Sequence, residues 1–367
     1  MLKSILQIIT APASGGAEIL VRSLSCKLVA MGYTVHIAFI DRATDLQRSV
    51  EFERDFLRRL REQGVSYSFL GHETRRKPWL GAWRVRSIVR EKKIDLIHSH
   101  LAYGNIFAAG APQTPLIYTH HSEKSRFSKF YWDYFEYRAA GFIGISRVCT
   151  NNLRHFLRRD TTIHCIPNGV DLAEIPTRNP SVGLTSECVR AICVGRVAPQ
   201  KNYELLVSAV SKLPDYHRRR LTIDIFGEGD PKIIRSCEAI LDQAGISPEI
   251  VRFFGSSSKI RKILHEYDLF FMSSKWEGLP IALIEATAAG LPCIVTDVGG
   301  CREVVEAGPS GIVVPSSDIE AYRDAIQRLM SQPGLRERFS LNAYETARNY
   351  SIESAVERHA QVYQQII

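Results

Sequence analysis

The sequence predicts an α/β protein with two open parallel sheets, each covered by helices on both faces. Short apolar runs alternate with segments of helical periodicity, and this alternation restarts after "IPNGVD" at residues 166–171. A length of 367 residues also suits two domains better than one core. Asn168 and Gly169 lie in the joint between the two blocks, so the expected domains are residues 1–168 and 169–350. Residues 351–367 end a long helical tail.

The first half contains repeated strand-helix-strand units. "SILQIIT" is a predicted strand, and it is followed by the glycine-containing turn "APASGGAE" and by a helix that stops at Gly32. The pattern continues through four more predicted strands, "YTVHIAFID", "GVSYSFL", "IDLIHSH" and "PLIYTHH", with helices near residues 79–93 and 103–109. These units predict the first parallel sheet.

The second half repeats the same order. Its predicted strands are "VRAICVGRV", "LTIDIFGEG", "IVRFFGS", "DLFFMSS", "PCIVTDV" and "GIVVP", and helices are expected at residues 203–213, 231–244 and 280–289. Ligands of open α/β sheets bind beyond the carboxyl ends of the strands. We therefore expect the two sheets to face each other across a cleft, with the chemistry in the loops that follow the strands.

Composition excludes several classes of protein. The chain is 45% hydrophobic and 23% charged, which is typical of a soluble globular protein and not of a disordered one. No stretch approaches the roughly 20 apolar residues that a membrane span requires, and no signal-peptide pattern is present. We therefore expect a cytoplasmic protein. The eight cysteines form no CxxC pair, so reduced thiols are expected and a zinc site is not.

The positive charge is concentrated in the first half. Residues 1–170 contain 25 Lys and Arg against 14 Asp and Glu, a net of +11, whereas residues 171–367 contain 22 against 25, a net of −3. A basic surface on one domain could contact an anionic membrane, nucleic acid or a phosphorylated substrate, or it could be an ordinary solvated surface.

Polar residues follow several strands of the first domain. Gly15 and Gly16 precede a helix, where backbone N–H groups could bind a phosphate or simply form a tight turn. Four histidines end two strands and could act as acid/base or hydrogen-bonding groups, or be buried imidazoles with satisfied hydrogen bonds: His98, His100, His120 and His121.

The second domain offers cations and carboxylates at its strand ends. Arg196 and Lys201 could clamp a diphosphate or be exposed surface charges. The turn "GEG" at residues 227–229 would allow close approach of a ligand to the backbone. Glu277 and Glu285, eight positions apart, could accept hydrogen bonds from hydroxyl groups or be unrelated.

Together these segments resemble glycosyltransferase family 4, whose retaining enzymes have the GT-B fold with two Rossmann-like domains. The resemblance covers nearly the whole chain, because "GGAE", "DLIHSH", "YTHH", "GISR", "IPNGVD", "VGRVAPQKN", "FGEGD", "EGLPIALIEATAAGLP" and "GIVVP" occur in the family's order. Glu277 and Glu285 match its E-x7-E signature. The resemblance implies an acceptor-binding first domain, a donor-binding second domain, and a helix at residues 351–367 that returns to the first domain.

The resemblance also implies roles for individual residues. Arg196 and Lys201 would hold the diphosphate of a UDP- or GDP-sugar, Glu285 the ribose, and Glu277 the transferred sugar. Gly15 and Gly16 would lie against the diphosphate, and His121 matches the family's catalytic-site histidine. His100 and His120 would lie on the acceptor side. The remaining expected donor-site residues are Gly227, Glu228, Gly278, Leu279 and Pro280.

The resemblance implies transfer with retention of configuration and without a metal or other cofactor, and the chain contains no DxD motif. The expected acceptor is a glycan or a lipid-linked glycan of the cell envelope or of an exopolysaccharide. "KSRFSKFYWDYFEYR" could form a basic, aromatic helix on the inner face of the cytoplasmic membrane, with Phe127, Phe130, Tyr131, Tyr134 and Phe135 beside Lys124, Arg126 and Lys129. An aromatic stripe that packs in the core is the alternative.

Two alternative functions share this fold or this charge pattern. A nucleotide-sugar epimerase also clamps a diphosphate between two such domains, but the E-x7-E pattern favours a transferase. A non-catalytic nucleotide-sugar-binding protein is disfavoured because each expected residue is present. No nucleic-acid-binding module accompanies the basic half, so nucleic acid is not an expected partner.

Overall fold

A computed structural model describes residues 3–123, 128–158, 161–178, 188–257 and 259–367 of the protein. The chain forms two compact units. The first comprises Met1–Val170 together with Ile352–Ile367, and the second comprises Asp171–Ser351. Each unit contains one parallel sheet covered by helices, as the sequence predicts.

The sheet of the first unit has seven strands within the described residues, all parallel, in the order β3-β2-β1-β4-β5-β6-β7. The strands are β1 (Ser4–Ile9), β2 (Thr34–Phe39), β3 (Ser66–Phe69), β4 (Leu96–Ser99), β5 (Leu116–His120), β6 (Gly141–Gly144) and β7 (Ile163–Cys165). The sequence predicted the first five of these strands and missed β6 and β7.

Helices cover both faces of this sheet. They are α1 (Gly16–Ala30), α2 (Val50–Glu62), α3 (Pro78–Glu91), α4 (Ala102–Phe107), α5 (Lys129–Arg138), α6 (Arg147–Phe156) and, at the end of the chain, α15 (Ile352–Ile366). Residues of α1, α2 and α15 pack on one face, against a set that includes Ile5 and Ile117. Residues of α3, α4 and α5 pack on the other face, against Leu116 and Tyr118.

Strand alternation decides which side chains meet each helix layer. Successive side chains of a strand point to opposite faces, so Leu116, Tyr118 and His120 of β5 share one face while Ile117 and Thr119 share the other. This parity separates the histidines of the first unit into two environments.

The second unit has six parallel strands among its described residues, in the order β10-β9-β8-β11-β12-β13. They are β8 (Val189–Val194), β9 (Leu221–Phe226), β10 (Val251–Gly255), β11 (Leu269–Met272), β12 (Cys293–Thr296) and β13 (Gly311–Val314). All six correspond to strands that the sequence predicts.

The helices of the second unit complete the alternation. They are α7 (Tyr203–Ser211), α8 (Asp215–Arg218), α9 (Pro231–Gln243), α10 (Ile260–Ile263), α11 (Ile281–Ala288), α12 (Cys301–Glu306), α13 (Ile319–Ser331) and α14 (Pro333–Ala347). Pro280 is the N-cap residue of α11, one position before the predicted first turn. Its missing N–H costs the helix no hydrogen bond at this end.

The C-terminal helix belongs to the first unit. The Ile352 N–H donates to the Val170 carbonyl over 2.8 Å, and Val356 and Tyr363 are buried in the core on the α1 face. Lys27 of α1 pairs with Glu353 at 2.7 Å on the surface.

Gly110 allows α3 to approach the segment that follows α4. A Cβ at Gly110 would lie 1.9 Å from the Ala82 carbonyl oxygen, and backbone atoms offer no rotamer change to relieve the overlap. We expect Gly110→Ala to lower the free energy of unfolding by about 1–3 kcal/mol. Gly141→Ala is the matched control in the same unit, because its Cβ would meet only Ile366 at an ordinary 3.5 Å. Urea unfolding of both variants measures the difference, and equal stability would contradict the close approach.

Candidate functional site

Backbone hydrogen bonds connect the carboxyl ends of β8, β9 and β10. The Gly195 N–H donates to the Phe226 carbonyl over 2.9 Å, and the Gly227 N–H donates to the Gly255 carbonyl over 2.7 Å. A Cβ at Gly227 would lie 2.0 Å from the Gly195 carbonyl oxygen, so only glycine allows this approach. The predicted turn "GEG" is therefore packed directly against the loop that carries Arg196 and Lys201.

Lys201 and Glu277 form an ion pair at the carboxyl edge of the second sheet. The Lys201 ammonium donates to Glu277 Oε1 over 2.7 Å, and the hydroxyl of Ser274 donates to the same oxygen over 2.7 Å. Both charged side chains are largely buried, with 15% and 8% exposure. Glu277 therefore has two internal donors that compensate for the loss of water.

Side chain to backbone bonds hold the two loops in this position. The hydroxyl of Ser273 donates to the Lys201 carbonyl over 2.9 Å, and the amide of Gln200 donates to the Trp276 carbonyl over 2.9 Å. The Gly300 N–H donates to the Gly278 carbonyl over 2.7 Å. Three loops are thus connected around Glu277.

Glu285 belongs to a separate ion-pair cluster. Arg261 of α10 donates through Nε to Glu285 Oε1 over 2.7 Å and through a terminal nitrogen to Glu174 over 2.6 Å. Glu285 is buried and Glu174 is exposed. Despite its burial, Arg261 has a raised pKa because these two carboxylates stabilise its charge. The two signature glutamates are therefore held by different cations.

The other predicted donor-site residues lie in the same loops. Arg196 is exposed and Glu228 is partly exposed. Their two loops are joined by a hydrogen bond from the Val197 N–H to the Glu228 carbonyl over 2.8 Å. Gly278 is partly buried, whereas Leu279 and Pro280 are buried at the start of α11.

In the first unit, Gly15 and Gly16 begin α1. Gly15 is the N-cap residue in an extended conformation, with φ −71° and ψ 151°, and it forms no side-chain cap. The first backbone N–H groups of this fifteen-residue helix follow it. The predicted phosphate-binding turn therefore coincides with a helix N-terminus.

His100 and His121 are brought together beyond the ends of β4 and β5. Their ring nitrogens, His100 Nδ1 and His121 Nε2, are 3.0 Å apart, and His100 Nε2 is 2.7 Å from the side-chain oxygen of Gln7. The amide nitrogen of Gln7 donates to the hydroxyl of Tyr363 in α15 over 3.4 Å. A hydrogen-bonded chain thus connects the C-terminal helix to His121.

The direction of each bond in this chain fixes a histidine tautomer. Because Gln7 presents its oxygen to His100, His100 Nε2–H is the donor and its Nδ1 is the acceptor. His121 Nε2–H must then donate to His100 Nδ1. The Nδ1 of His121 is left as a hydrogen-bond acceptor, suited to a hydroxyl group.

His98 lies deeper in the same network and does not reach the strand-end loops. Its Nδ1 lies 2.6 Å from the Tyr363 hydroxyl, and its Nε2 lies 2.7 Å from the Thr119 hydroxyl. His98 is fully buried. Of the two roles expected for these histidines, that of a buried imidazole with satisfied hydrogen bonds describes it.

The side chain of His120 points to the face of β5 opposite that of Thr119, the residue that contacts His98. Strand alternation requires this arrangement. Its Nδ1 is 3.1 Å from the Tyr118 hydroxyl, and its ring packs edge-on against Trp132 and Phe156. Its Nε2 is buried and has no hydrogen-bond partner among the described residues. The structure therefore groups His121 with His100 and places His120 in an aromatic core.

Burial favours the neutral form of six histidines of the first unit by lowering their pKa values. It lowers the pKa of His121 to about 3 and those of His36, His120 and His359 to about 4, and it lowers the pKa values of His98 and His100 well below 6.5. A neutral His121 can accept or donate a hydrogen bond at physiological pH but supplies no positive charge there.

Within the described part of the chain, one group of side chains has the donors for a metal ion. Ligand atoms of Asp41, Asp45 and His72 lie within 4.8 Å of one another. However, Arg75 donates to both carboxylate oxygens of Asp41, and His72 Nδ1 lies 2.8 Å from one of them. A cation would have to compete with the guanidinium group for this carboxylate.

Sequence reasoning missed several residues of these networks, among them Gln7, Arg261, Ser274 and Tyr363. Ser274 is the last residue of the predicted strand "DLFFMSS", and this position is the signal that could have indicated it. Arg261 and Tyr363 lie in helices far along the chain from their partners, so no local pattern indicates them.

Two family models match consecutive parts of the chain. The model described as glycosyltransferase family 4 matches residues 14–174, and the model described as glycosyl transferases group 1 matches residues 179–346. The two matches follow the two structural units in order.

Curated relatives match mainly part of the chain. The chain is 30% identical over 175 residues to the alpha-D-kanosaminyltransferase of Streptomyces kanamyceticus, covering 47% of this chain and 45% of that protein. It is 25% identical over 264 residues to the UDP-Gal:alpha-D-GlcNAc-diphosphoundecaprenol alpha-1,3-galactosyltransferase of Escherichia coli, covering 66% and 68%. The chain thus spans about half to two thirds of the length of these relatives.

A solved structure matches over the whole chain. HepE of Anabaena, in complex with UDP and glucose, has a TM-score of 0.81 at 18% identity and covers 99% of this chain and 100% of that one. The fold is therefore the GT-B fold of glycosyltransferases. The two family models together match most of the chain, and each describes glycosyltransferases.

Acid should unfold the first unit before the second. Each buried histidine has a folded-state pKa below its unfolded value near 6.5, so its contribution to stability is complete above pH 6.5 and is lost as the pH falls toward 4. We expect a loss of about 2 kcal/mol per such histidine between pH 7 and pH 5.

Tryptophan fluorescence can separate the two units in this experiment. A variant that retains only the buried Trp132 reports the first unit, and a variant that retains only Trp276 reports the second. Unfolding of both at the same pH, or of the second unit first, would contradict the histidine explanation.

Removal of Arg261 should destabilise the second unit. Arg261→Met leaves Glu285, with 10% side-chain exposure, without its cation, and we expect a loss of about 3 kcal/mol. The control is Arg302→Met, because Arg302 is 47% exposed where it pairs with Asp297, and we expect a change below about 1 kcal/mol. Urea unfolding followed by Trp276 fluorescence measures both; equal losses would show that Arg261 is not a buried partner.

Proposed function

We propose that the protein transfers a sugar from a UDP- or GDP-sugar to a glycan or lipid-linked acceptor in envelope or exopolysaccharide synthesis, with retention of configuration and without a metal. The observation that carries this proposal is the Lys201–Glu277 pair at the carboxyl edge of the second sheet. In the proposed roles, the cation would bind a phosphate and the neighbouring carboxylate would bind sugar hydroxyls, at the edge where open α/β sheets bind ligands. The Escherichia coli relative supports the substrate class, since its name states UDP-Gal and a diphosphoundecaprenol-linked acceptor.

The proposed reaction needs positive charge at the leaving group. The bond between the anomeric carbon and the diphosphate breaks, and an acceptor oxygen bonds to that carbon on the same face. The acceptor proton passes to an oxygen of the leaving diphosphate. Arg196 and Lys201 would stabilise the negative charge that develops on this diphosphate. Gly227, Glu228 and the backbone of Gly278–Pro280 would line the donor.

Donor binding would rearrange the internal ion pair. In the structure, Lys201 is bonded to Glu277. A bound diphosphate would draw Lys201 to itself, while Ser274 would keep its bond to Glu277. Glu277 would then accept hydrogen bonds from the sugar, and Glu285, held by Arg261, would accept them from the ribose.

The first unit would contribute Gly15, Gly16, His121 and His100. The backbone N–H groups at the start of α1 suit the negative charge of a diphosphate. His121, with Nδ1 as acceptor, suits a sugar hydroxyl, and His100 fixes that orientation from the acceptor side. His120 would act only through packing. No described helix is both long and apolar enough to span a bilayer; the cytoplasmic location expected from the sequence is part of this proposal.

Incubation of the protein with a panel of UDP- and GDP-sugars and an acceptor extract tests the proposal. Release of free nucleoside diphosphate with a glycosylated or hydrolysed sugar supports a transferase. An isomerised donor supports an epimerase, and binding without turnover supports a non-catalytic binding protein. Unchanged turnover in EDTA is the expected result for a metal-independent reaction.

Substitution of the two glutamates should separate binding from chemistry. We expect Glu285→Gln to raise the KM for the donor about tenfold, and Glu277→Gln to lower kcat about 100-fold, since a lost hydrogen bond to a charged group costs roughly 1.5–3 kcal/mol. Glu238→Gln, on the exposed surface of α9, is the matched control. Steady-state kinetics with the donor found in the panel measure both effects; kinetics like those of the control for both glutamates would remove their assigned roles.

A further inference from the structure

Two helices of the first unit present exposed aromatic side chains. Among the described residues of this unit, the large aromatic side chains with high exposure are Trp79 at 68% and Trp83 at 64% in α3, and Phe130 at 83%, Tyr134 at 37% and Tyr137 at 76% in α5. Singly exposed aromatic residues are ordinary on a protein surface, but five on two helices form a distinct feature.

Both helices cover the same face of the sheet. Val85 of α3 packs with Leu116 of β5, and Trp132 and Phe135 of α5 pack with Tyr118 of the same strand. Leu116 and Tyr118 are two positions apart, so they point to one face. The outward surfaces of α3 and α5 therefore lie on one side of the first unit, and we call them the outer helix face.

The two tryptophans of α3 align with two arginines. Trp79, Trp83, Arg86 and Arg90 are all exposed, and their spacing places them within about 60° of arc along a stripe of about 16 Å. The buried Gly81 and Val85 lie on the opposite side of the helix, against Phe107 and the core. α3 thus has an apolar inner side and an outer side of tryptophan and arginine.

Positive charge surrounds this stripe. Residues 72–93 contain eight Lys and Arg and two Glu, a net of +6. Both glutamates already have partners, because Glu73 pairs with Arg84 at 2.7 Å and Glu91 pairs with Lys92 at 2.8 Å. A third cation, Arg75, pairs with Asp41 outside the segment at 2.6 Å. With Asp41 included, the net charge is +5.

We propose that the outer helix face, centred on Trp79, Trp83, Arg86 and Arg90, docks on an anionic lipid surface. Tryptophan favours the membrane interface because its ring is apolar and its N–H is polar, and arginines beside it attract anionic headgroups. The proposal stands independently of the proposed function, since it depends on the surface of the first unit alone.

Other occupants fit the outer helix face less well. A symmetric contact with a second copy would set Arg86 and Arg90 against the same cations. Single-stranded nucleic acid binds in grooves that follow its backbone, whereas this stripe is the convex outer side of a helix. An anionic lipid surface complements both the charge and the amphipathic rings.

The structure revises the aromatic stripe expected at residues 124–138. Phe135 is buried and Tyr131 is partly buried, whereas Phe130 and Tyr134 are exposed and Tyr137 joins them. Lys124, Arg126 and Phe127 lie outside the described residues. Part of α5 therefore packs in the core, and part adds to the outer helix face. The centre of that face is α3, a predicted helix for which no membrane contact was expected from the sequence.

Vesicle binding of the full chain tests the proposal. Flotation with phosphatidylcholine vesicles that contain phosphatidylglycerol should recover the protein at low salt, and vesicles of phosphatidylcholine alone should recover much less. Trp79→Ser with Trp83→Ser should lower the partition coefficient at least about tenfold, and Arg86→Gln with Arg90→Gln should lower it by a similar factor and weaken its salt dependence.

Two controls distinguish docking from altered folding. Tyr216→Ser removes a side chain of 62% exposure from the second unit and should leave binding unchanged. In the unsubstituted protein, emission from the exposed tryptophans should shift to the blue with anionic vesicles, and a variant with Phe at positions 79 and 83 should lose that shift. Thermal unfolding should be the same for all variants.

Three results would overturn the proposal. The first is equal recovery of the Trp79→Ser, Trp83→Ser variant and the unsubstituted protein by anionic vesicles. The second is no vesicle binding together with a concentration-dependent dimer that this variant dissociates, which would identify a self-association surface. The third is preferential binding of single-stranded nucleic acid that the vesicles do not displace.

Discussion

The buried carboxylate of Glu277 is the constraint on which the candidate site of the second unit depends. A carboxylate that is 7% exposed is stable only with internal donors, and Lys201 and Ser274 supply them from two loops that are distant in sequence. Ser273 and Gln200 then join the same loops through their backbones. These bonds hold the loops in one geometry. Under the proposed function, a donor would have to replace an internal bond with its own, so donor affinity and the strength of the Lys201–Glu277 pair would oppose each other.

The first unit meets a similar constraint with neutral groups. Its network connects His121, His100 and Gln7 to Tyr363 without a buried charge, because burial keeps each imidazole neutral. Every internal bond in it needs a defined donor and acceptor, so one change of direction at Gln7 would reverse the role of each histidine. The C-terminal helix therefore does more than cover the core, because its Tyr363 hydroxyl accepts from the Gln7 amide nitrogen at one end of this network.

The sequence predicted the two parallel sheets because alternating apolar strands and periodic helices are local patterns. It missed β6, a strand of four residues with glycine at both ends that presents little periodicity. It placed polar residues at strand ends but could not pair them, since Lys201 and Glu277 are 76 positions apart. Residues 120 and 121 have the same side chain, and only strand parity, which depends on where β5 ends, separates their environments. Arg261 is absent from the predicted site because its helix meets Glu285 only in the folded chain.

The outer side of α3 has no explanation within the fold. Gly81 and Val85 already supply its packing, and the exposed rings of Trp79 and Trp83 add little to stability because they remain in water in both the folded and unfolded states. An exposed apolar patch also favours aggregation. Side chains that neither pack nor improve solubility are explained by a surface that covers them. The arginines on the same stripe indicate that this surface is negative, which an anionic membrane satisfies and a second copy of the same face does not.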